Sequence, residues 1–232
     1  MQERTTDIVM LEKKKILIFG GGSKFGLELA KSFAILNYEV SIVTSAGSSE
    51  TNFKTHVVDW SKLDITRVEK LCTSFAEFDI VIFNQNYSTI NNLEDISIPK
   101  LEMWKKLKEW QQGLYINCHL PLQICNSLYV NNKINDKTKV LWMLSGCISN
   151  DSFTTLEYQT QKYINHESVR YMKRLDMVKC IGLNPGKLDE NNYAIKANKL
   201  SNFLETVEPN NTGSFYAFDK NNEIIQKQNY FL

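Results

Sequence analysis

Apolar positions in this chain fall into short, nearly continuous runs that alternate with stretches of helical spacing. The run Lys15–Phe19 (KILIF) is apolar and β-branched, and Gly20, Gly21 and Gly22 stop it. From Ser23 to Leu36 the residues Phe25, Leu29, Phe33 and Leu36 recur at helical spacing. The same reading predicts strands over Glu39–Thr44, Thr55–Asp59, Asp79–Asn84, Lys139–Leu144, Val178–Leu183 and Ser214–Phe218. Helices are predicted over Ile65–Glu77, Lys100–Val130, Thr155–Arg174 and Asn192–Val207. Runs such as DIVIF and KVLWML carry no polar face, as expected of strands covered by helices on both sides. The alternation predicts an α/β fold, a doubly wound parallel sheet of about seven strands. The link between the second and third strands is too short for a full helix. Asn pairs (91–92, 131–132, 191–192, 210–211, 221–222) fall between periodic segments and mark turns.

With 232 residues and 43% hydrophobic composition, one large domain over 1–232 is expected, with 1–13 and 220–232 as peripheral tails. Lys and Arg total 27 against 26 Asp and Glu, a net charge of +1, which excludes a strongly basic nucleic-acid binder. No apolar run reaches the ~20 residues of a membrane span, so no membrane partner is expected. The charged start MQERTTDIVMLEKKK has no apolar secretory core. Five scattered cysteines (Cys72, Cys118, Cys125, Cys147, Cys180) lack a CxxC pair and read as reduced core residues of a cytoplasmic protein. His56, His119 and His166 have no mutual metal-ligand spacing, and no metal is expected.

Gly20, Gly22 and Gly26 lie between a buried strand and an amphipathic helix. Glycines there permit a tight turn, close approach to a pyrophosphate, and packing of helix on strand. The unpaired N–H groups of the helix start, around Ser23, Lys24 and Phe25, would hold phosphate. The spacing GxGxxxG is one residue off the commonest dinucleotide fingerprint. A Walker A loop is excluded, because Ser23 stands before Lys24 and Phe25 after it.

Tyr158 and Lys162 are four residues apart, hence on one helix face. A free phenol has a pKa of ~10, and a neighbouring ammonium lowers it toward the range of a useful acid or base. Tyr129–Lys133 and Tyr216–Lys220 share the spacing, so context must separate them. Ser145 ends the strand KVLWML, thirteen residues before Tyr158, and can share a pocket with it. Tyr129 and Tyr216 have no such partner.

In this ordered set the chain resembles the short-chain dehydrogenase/reductase family, over about residues 14–219. Gly20-Gly-Gly-Ser-Lys-Phe-Gly26 is similar to that family's TGxxxGxG loop, with Phe19 and Lys24 replacing its Thr and middle Gly. Phe83-Asn84-Gln85-Asn86 falls where the family has NNAG and keeps its second Asn as Asn84. Asp59 resembles the Asp that contacts adenine, and Asn117 the catalytic Asn. Ser145, Tyr158 and Lys162 match the catalytic Ser and the YxxxK pair. Pro185-Gly186 matches the family's PG, and Thr212-Gly213 opens the last strand in the same way.

The resemblance implies a Rossmann-like NAD(P)-dependent oxidoreductase moving a hydride between nicotinamide and a carbonyl or secondary-alcohol substrate. Tyr158 would be general acid or base and Ser145 would hold the substrate oxygen. Lys162 would also hold the nicotinamide ribose, and Asn117 would steady a relay water. Pro121 adds to this reading, since it has no N–H to offer the Asn117 carbonyl. NADP is preferred to NAD, because Thr44-Ser45-Ala46 ends the second strand without a carboxylate and Lys24 could pair with a 2′-phosphate. A homodimer or homotetramer through the helices bearing Asn117 and Tyr158 is implied. Only five residues follow Pro185-Gly186 before a helical run, so an open pocket is expected, rimmed by Asn191, Asn192 and Tyr193. The alternatives are a catalytically idle dinucleotide-binding regulator or redox sensor and, third, a structural subunit that binds no cofactor.

Overall fold

The computed structural model describes residues 12–45, 52–86, 100–145, 156–208 and 214–227, with side chains from 107 in the third helix and from 157 in the fifth. Thr212-Gly213, Cys147 and the link at 46–51 lie outside the described residues. Strands β1 (Lys15–Phe19), β2 (Glu39–Thr44), β3 (Lys54–Val57), β4 (Ile80–Phe83), β5 (Lys139–Met143), β6 (Lys179–Asn184), β7 (Ser214–Phe218) and β8 (Ile224–Lys227) form one sheet. Its order is β3-β2-β1-β4-β5-β6-β7-β8. All neighbours are parallel except β7 and β8, which pair antiparallel, Phe218 opposite Ile224. Residues 220–232, read from sequence as a tail, therefore contain an eighth strand. Its face is mostly exposed, so it lacks the apolar run that marks the others.

Helices α1 (Lys24–Ile35), α2 (Ile65–Thr73), α3 (Lys100–Leu114), α4 (Leu120–Val130), α5 (Leu156–Arg174) and α6 (Tyr193–Thr206) cover both faces. Side chains alternate across a strand, so each central strand feeds two cores. Leu17, Phe19, Val81, Phe83, Val140 and Trp142 face α2, α4 and α5. Ile16, Ile18, Ile42, Ile82 and Leu141 face α1 and α6. That is why the strand sequences are apolar without alternation.

Asn residues end helices as their tolerance of positive φ allows. After α1, Asn37 takes φ 66°, its N–H donating to the Ala34 carbonyl while Tyr38 N–H reaches Phe33 O. The rings of Phe33 and Tyr38 then meet edge to face, centroids 5.2 Å apart, sealing this C-terminal motif. After α4, Asn132 (φ 54°) and Lys133, which donates to Leu128 O, repeat it.

Between α3 and α4 the chain makes a π-helical turn, Tyr115–His119, in which Leu120 N–H donates to Tyr115 O. The sequence reads 100–130 as one helix; the structure interrupts it at Asn117. Such turns recur at functional sites.

Candidate functional site

Strand order reverses between β1 and β4, and the crevice at their C-terminal ends is where open α/β sheets bind ligands. β1 ends in a turn at Gly20 (φ +74°), where a Cβ would lie 2.7 Å from Gln85 N. The N–H groups of Gly20 and Gly21 both donate to Val43 O, at 2.9 and 3.2 Å. A Cβ at Gly22 would overlap Thr44 Oγ1, and one at Gly26 the Gly20 carbonyl. Close approach therefore requires glycine at all three positions.

Ser23 caps α1. Its hydroxyl accepts from Gly26 N–H at 3.1 Å and donates to Gly20 O at 2.9 Å. Asn84 Nδ2 donates to Ser23 Oγ at 3.0 Å, tying the end of β4 to the glycine turn. These contacts enclose a cleft of about 290 Å³. Gly20, Gly22, Ser23, Thr44, Ser45 and Asn84, all singled out by sequence, line it. Trp60, Gln85, Asn86 and Ile116 line it too. Sequence reasoning passed over those four, although Trp60 follows Asp59 and Gln85-Asn86 follow Asn84. Lys24, Phe25, Gly26, Asp59, Lys162, Pro185 and Gly186 are not in its described wall.

Asp59 caps a 3-10 turn, Trp60–Lys62. Its Oδ1 accepts from Ser61 N–H and Ser61 hydroxyl, and its Oδ2 lies 2.9 Å from Lys62 Nζ. The Ser61 hydrogen bonds and Lys62 hold its carboxyl at a pKa of about 2.

Lys162 is buried, 5% exposed. Its ammonium donates to Met143 O, at the end of β5, at 3.1 Å and stands 5.4 Å from the centre of the Tyr158 ring. Ser145, half-buried, lies two residues beyond Met143. α5 and the end of β5 thus bring Tyr158, Lys162 and the strand end bearing Ser145 together.

Asn117, 3% exposed, faces α5 from the π turn. Its Nδ2 donates to Gln161 Oε1 at 2.6 Å, and Gln161 Nε2 donates to Glu157 Oε1 at 3.0 Å. Gly113 makes room, since a Cβ there would lie 2.6 Å from both Gln161 Nε2 and Glu157 Oε1. The other Glu157 oxygen is buried without a hydrogen-bond partner, and burial raises this carboxyl's pKa. Cys118, beside Lys162, is pushed up to about 12 by burial.

After β6, Asn184 Oδ1 accepts from Gly186 N–H at 2.9 Å, and Gly186 takes φ +61°. Lys196, on α6 and buried, donates to Pro185 O at 2.7 Å and Lys187 O at 2.8 Å. Lys24 pairs with Glu190, so the cation expected to meet a 2′-phosphate already has a carboxylate partner. Tyr193 packs on Phe25, ring centroids 6.0 Å apart. Asn191 and Asn192 bond within their own segment, to Asp189 and Lys187, and neither they nor Tyr193 are in the described wall of the cleft.

A second cavity, about 250 Å³, lies at the opposite end of the strands. Lys15 pairs there with Glu12, and its backbone N–H donates to Asp79. Among the described residues no group of three or more His, Cys, Asp or Glu is placed to hold a metal, and no helix is long and apolar enough to cross a membrane.

No family model and no curated protein matches the sequence. Solved structures match the fold. A carbonyl reductase from Pseudomonas aeruginosa PAO1 is 19% identical with TM-score 0.70, covering 88% of this chain and 96% of that one. A short-chain dehydrogenase/reductase family oxidoreductase from Brucella ovis, with partially ordered NAD, is 17% identical with TM-score 0.69, covering 90% and 100%. A protein from Burkholderia multivorans assigned to that family, with NADP bound, is 14% identical with TM-score 0.71, covering 89% and 96%. The chain has the Rossmann-type fold of short-chain dehydrogenases/reductases.

Proposed function

We propose that this protein is an NAD(P)-dependent oxidoreductase acting on a carbonyl or secondary alcohol. The observation that carries the reading is the position of Lys162. A buried ammonium shared between the Tyr158 ring and the strand end that leads to Ser145 is an arrangement for managing a phenol proton.

The residues present fit a dinucleotide. The glycine turn puts no side chain between β1 and the capping Ser23, and both amide atoms of Gln85, in the cleft wall, are buried without a partner. When bound, the nicotinamide supplies or accepts the hydride. Gly20, Gly22, Ser23, Lys24, Phe25 and Gly26 would hold the phosphates at the start of α1. Thr44, Ser45, Asp59 and Asn84 would face the adenosine half, and Lys162, Pro185 and Gly186 the nicotinamide half.

Tyr158 gives its proton to the substrate oxygen in reduction and takes it in oxidation. Lys162 beside it favours the phenolate. Ser145 donates a hydrogen bond to the substrate oxygen and stabilises its developing charge. Asn117, fixed by Gln161, steadies the relay that returns the proton. Exposed Tyr163 and Tyr171 on α5 support a homodimer or homotetramer formed through α3 and α5.

The alternative is the idle dinucleotide binder, in which the cleft takes the cofactor and Tyr158 does no chemistry. Titration with NADH and NADPH, followed by a carbonyl-substrate screen with Tyr158→Phe as control, separates the readings. Turnover lost in the variant supports the enzyme. Binding without turnover of any carbonyl supports the binder, and no binding of either cofactor overturns both.

A further inference from the structure

Lys196 places a positive charge inside the fold, directly behind the turn that follows β6. The residue is 4% exposed. Its Nζ donates to Pro185 O at 2.7 Å and to Lys187 O at 2.8 Å, and stands 5.2 Å from the Phe218 ring centre. Two carbonyls and an aromatic face all favour a cation there. Among the described residues no carboxylate forms a salt bridge with it. Asp189 acts on it only through the field, and Asp189 Oδ1 accepts from Asn191 N–H.

Gly186 is what separates this charge from the surface. It is exposed, takes φ +61°, and a Cβ there would lie 3.5 Å from Lys196 Nζ, so no side chain screens the ammonium. A second buried ammonium, Lys162, is fixed on Met143 O at the end of β5, the strand beside β6. The C-terminal ends of two adjacent strands thus each carry a buried cation.

The two forms of a nicotinamide dinucleotide differ by one charge on the ring. NAD(P)⁺ carries a cationic pyridinium and NAD(P)H a neutral dihydropyridine. A fixed cation near that ring repels the first and spares the second. Two unit charges about 10 Å apart, at an effective dielectric constant of about 20–80, change affinity roughly 2–20-fold.

Resting on the dinucleotide reading above, we propose that Lys196 biases the bound cofactor toward its reduced form and so sets the protein to work as a reductase. A site that holds one form more tightly shifts the population toward it. In that direction the hydride of NAD(P)H goes to the carbonyl carbon and the Tyr158 proton to the oxygen. The products are the alcohol and NAD(P)⁺, the form the site holds less tightly, and the relay reprotonates Tyr158.

The test is calorimetric titration of the full chain with NADH, NAD⁺, NADPH and NADP⁺. The wild type is expected to bind the reduced form of its preferred cofactor more tightly than the oxidised form. Lys196→Met should lower that ratio roughly 2–20-fold, beyond any loss common to both forms from a loosened turn. Lys196→Gln keeps a donor for the carbonyls without the charge and should lower it likewise. Lys196→Arg keeps the charge and should preserve the ratio, as should Lys199→Met on the same helix. A merely structural Lys196 would weaken both forms alike.

A ratio unchanged in either neutral variant, or lost equally in Lys196→Arg, overturns the electrostatic role while dinucleotide binding stands. So does a wild type that binds the oxidised form as tightly as the reduced one. Failure of the wild type to bind any of the four overturns the underlying reading as well.

Discussion

Lys162 Nζ stands 5.4 Å from the centre of the Tyr158 ring and is anchored to Met143 O at 3.1 Å. The anchor matters more than the proximity. An ammonium on a flexible stem would drift to solvent, but this one is buried and held by β5, so its charge stays on the phenol. Because the phenol proton is needed in the transition state, Tyr158→Phe should nearly abolish turnover and leave cofactor affinity within a few-fold. Ser145→Ala should lose about 10²–10³ in rate, the cost of one oxyanion donor. Steady-state kinetics beside cofactor titration checks both, and retained turnover in Tyr158→Phe would sink the assignment.

The contact between Lys24 and Glu190 joins the start of α1 to the segment after β6. Each residue lowers the other's free energy in the charged form: the Lys24 hydrogen bond lowers the Glu190 pKa, and Glu190 raises that of Lys24. Both side chains are more than 70% exposed, so the pair adds little to stability. Its effect should fall on cofactor choice. Glu190→Gln frees the cation and should raise affinity for NADPH more than for NADH. Lys24→Ala should do the reverse, and neither should move the melting temperature appreciably. Titration with both cofactors at two salt concentrations checks this; unchanged NADPH-to-NADH ratios in both variants would remove Lys24 from the phosphate site.

The central strands and the helices were legible because β1, β2, β4, β5, β6 and β7 are buried almost throughout. Ile16 and Leu17 go to opposite cores, so the sequence is apolar throughout and stops where the glycine turn begins. β8 was illegible for the opposite reason, since an exposed edge strand carries no apolar signature. In the site, Gly20, Ser23, Tyr158 and Lys162 could be singled out because spacing fixes their helix face or turn, and Asn84 through the family resemblance alone. Gln85 and Trp60 could not. Their significance depends on being brought into one wall from β4 and from the turn after β3, which no local pattern records. Glu190 was hidden likewise, its meeting with Lys24 spanning 166 positions.

Lys196 holds the turn after β6 from beneath, its ammonium shared by the Pro185 and Lys187 carbonyls and set 5.2 Å from the Phe218 ring centre. Lys196→Met keeps the stem but leaves both carbonyls without this donor. It should lower stability by about 1–3 kcal/mol, the cost of losing a hydrogen-bond partner at a buried site. Because the turn carries Pro185 and Gly186, cofactor affinity should fall as well, whereas Lys199→Met on the same helix should leave it unchanged. Denaturant unfolding and titration check the two effects separately, and a stable variant with wild-type affinity would show that the turn holds itself.

Glu157 supplies the pH-dependent step. Burial raises its pKa above the ordinary 4.5, opposed by the Gln161 hydrogen bond and assisted by nearby Glu109. The folded state therefore holds this proton at pH values where the unfolded chain has released it. Stability attributable to Glu157 is fully present below the unfolded pKa and is lost as pH rises toward the folded value. Glu157→Gln keeps an oxygen to accept from Gln161 Nε2 and removes the ionisation. The variant should therefore gain melting temperature relative to the wild type as pH rises from about 4.5 toward neutrality. Asn117 stays bonded to Gln161 in that variant, so turnover should survive. Glu157→Leu deletes the acceptor, releases Gln161, and should lower turnover through the Asn117 turn. Melting curves across that pH range and kinetics on both variants provide the check. Parallel melting profiles for wild type and Glu157→Gln would mean that the carboxyl is ionised in the folded protein throughout.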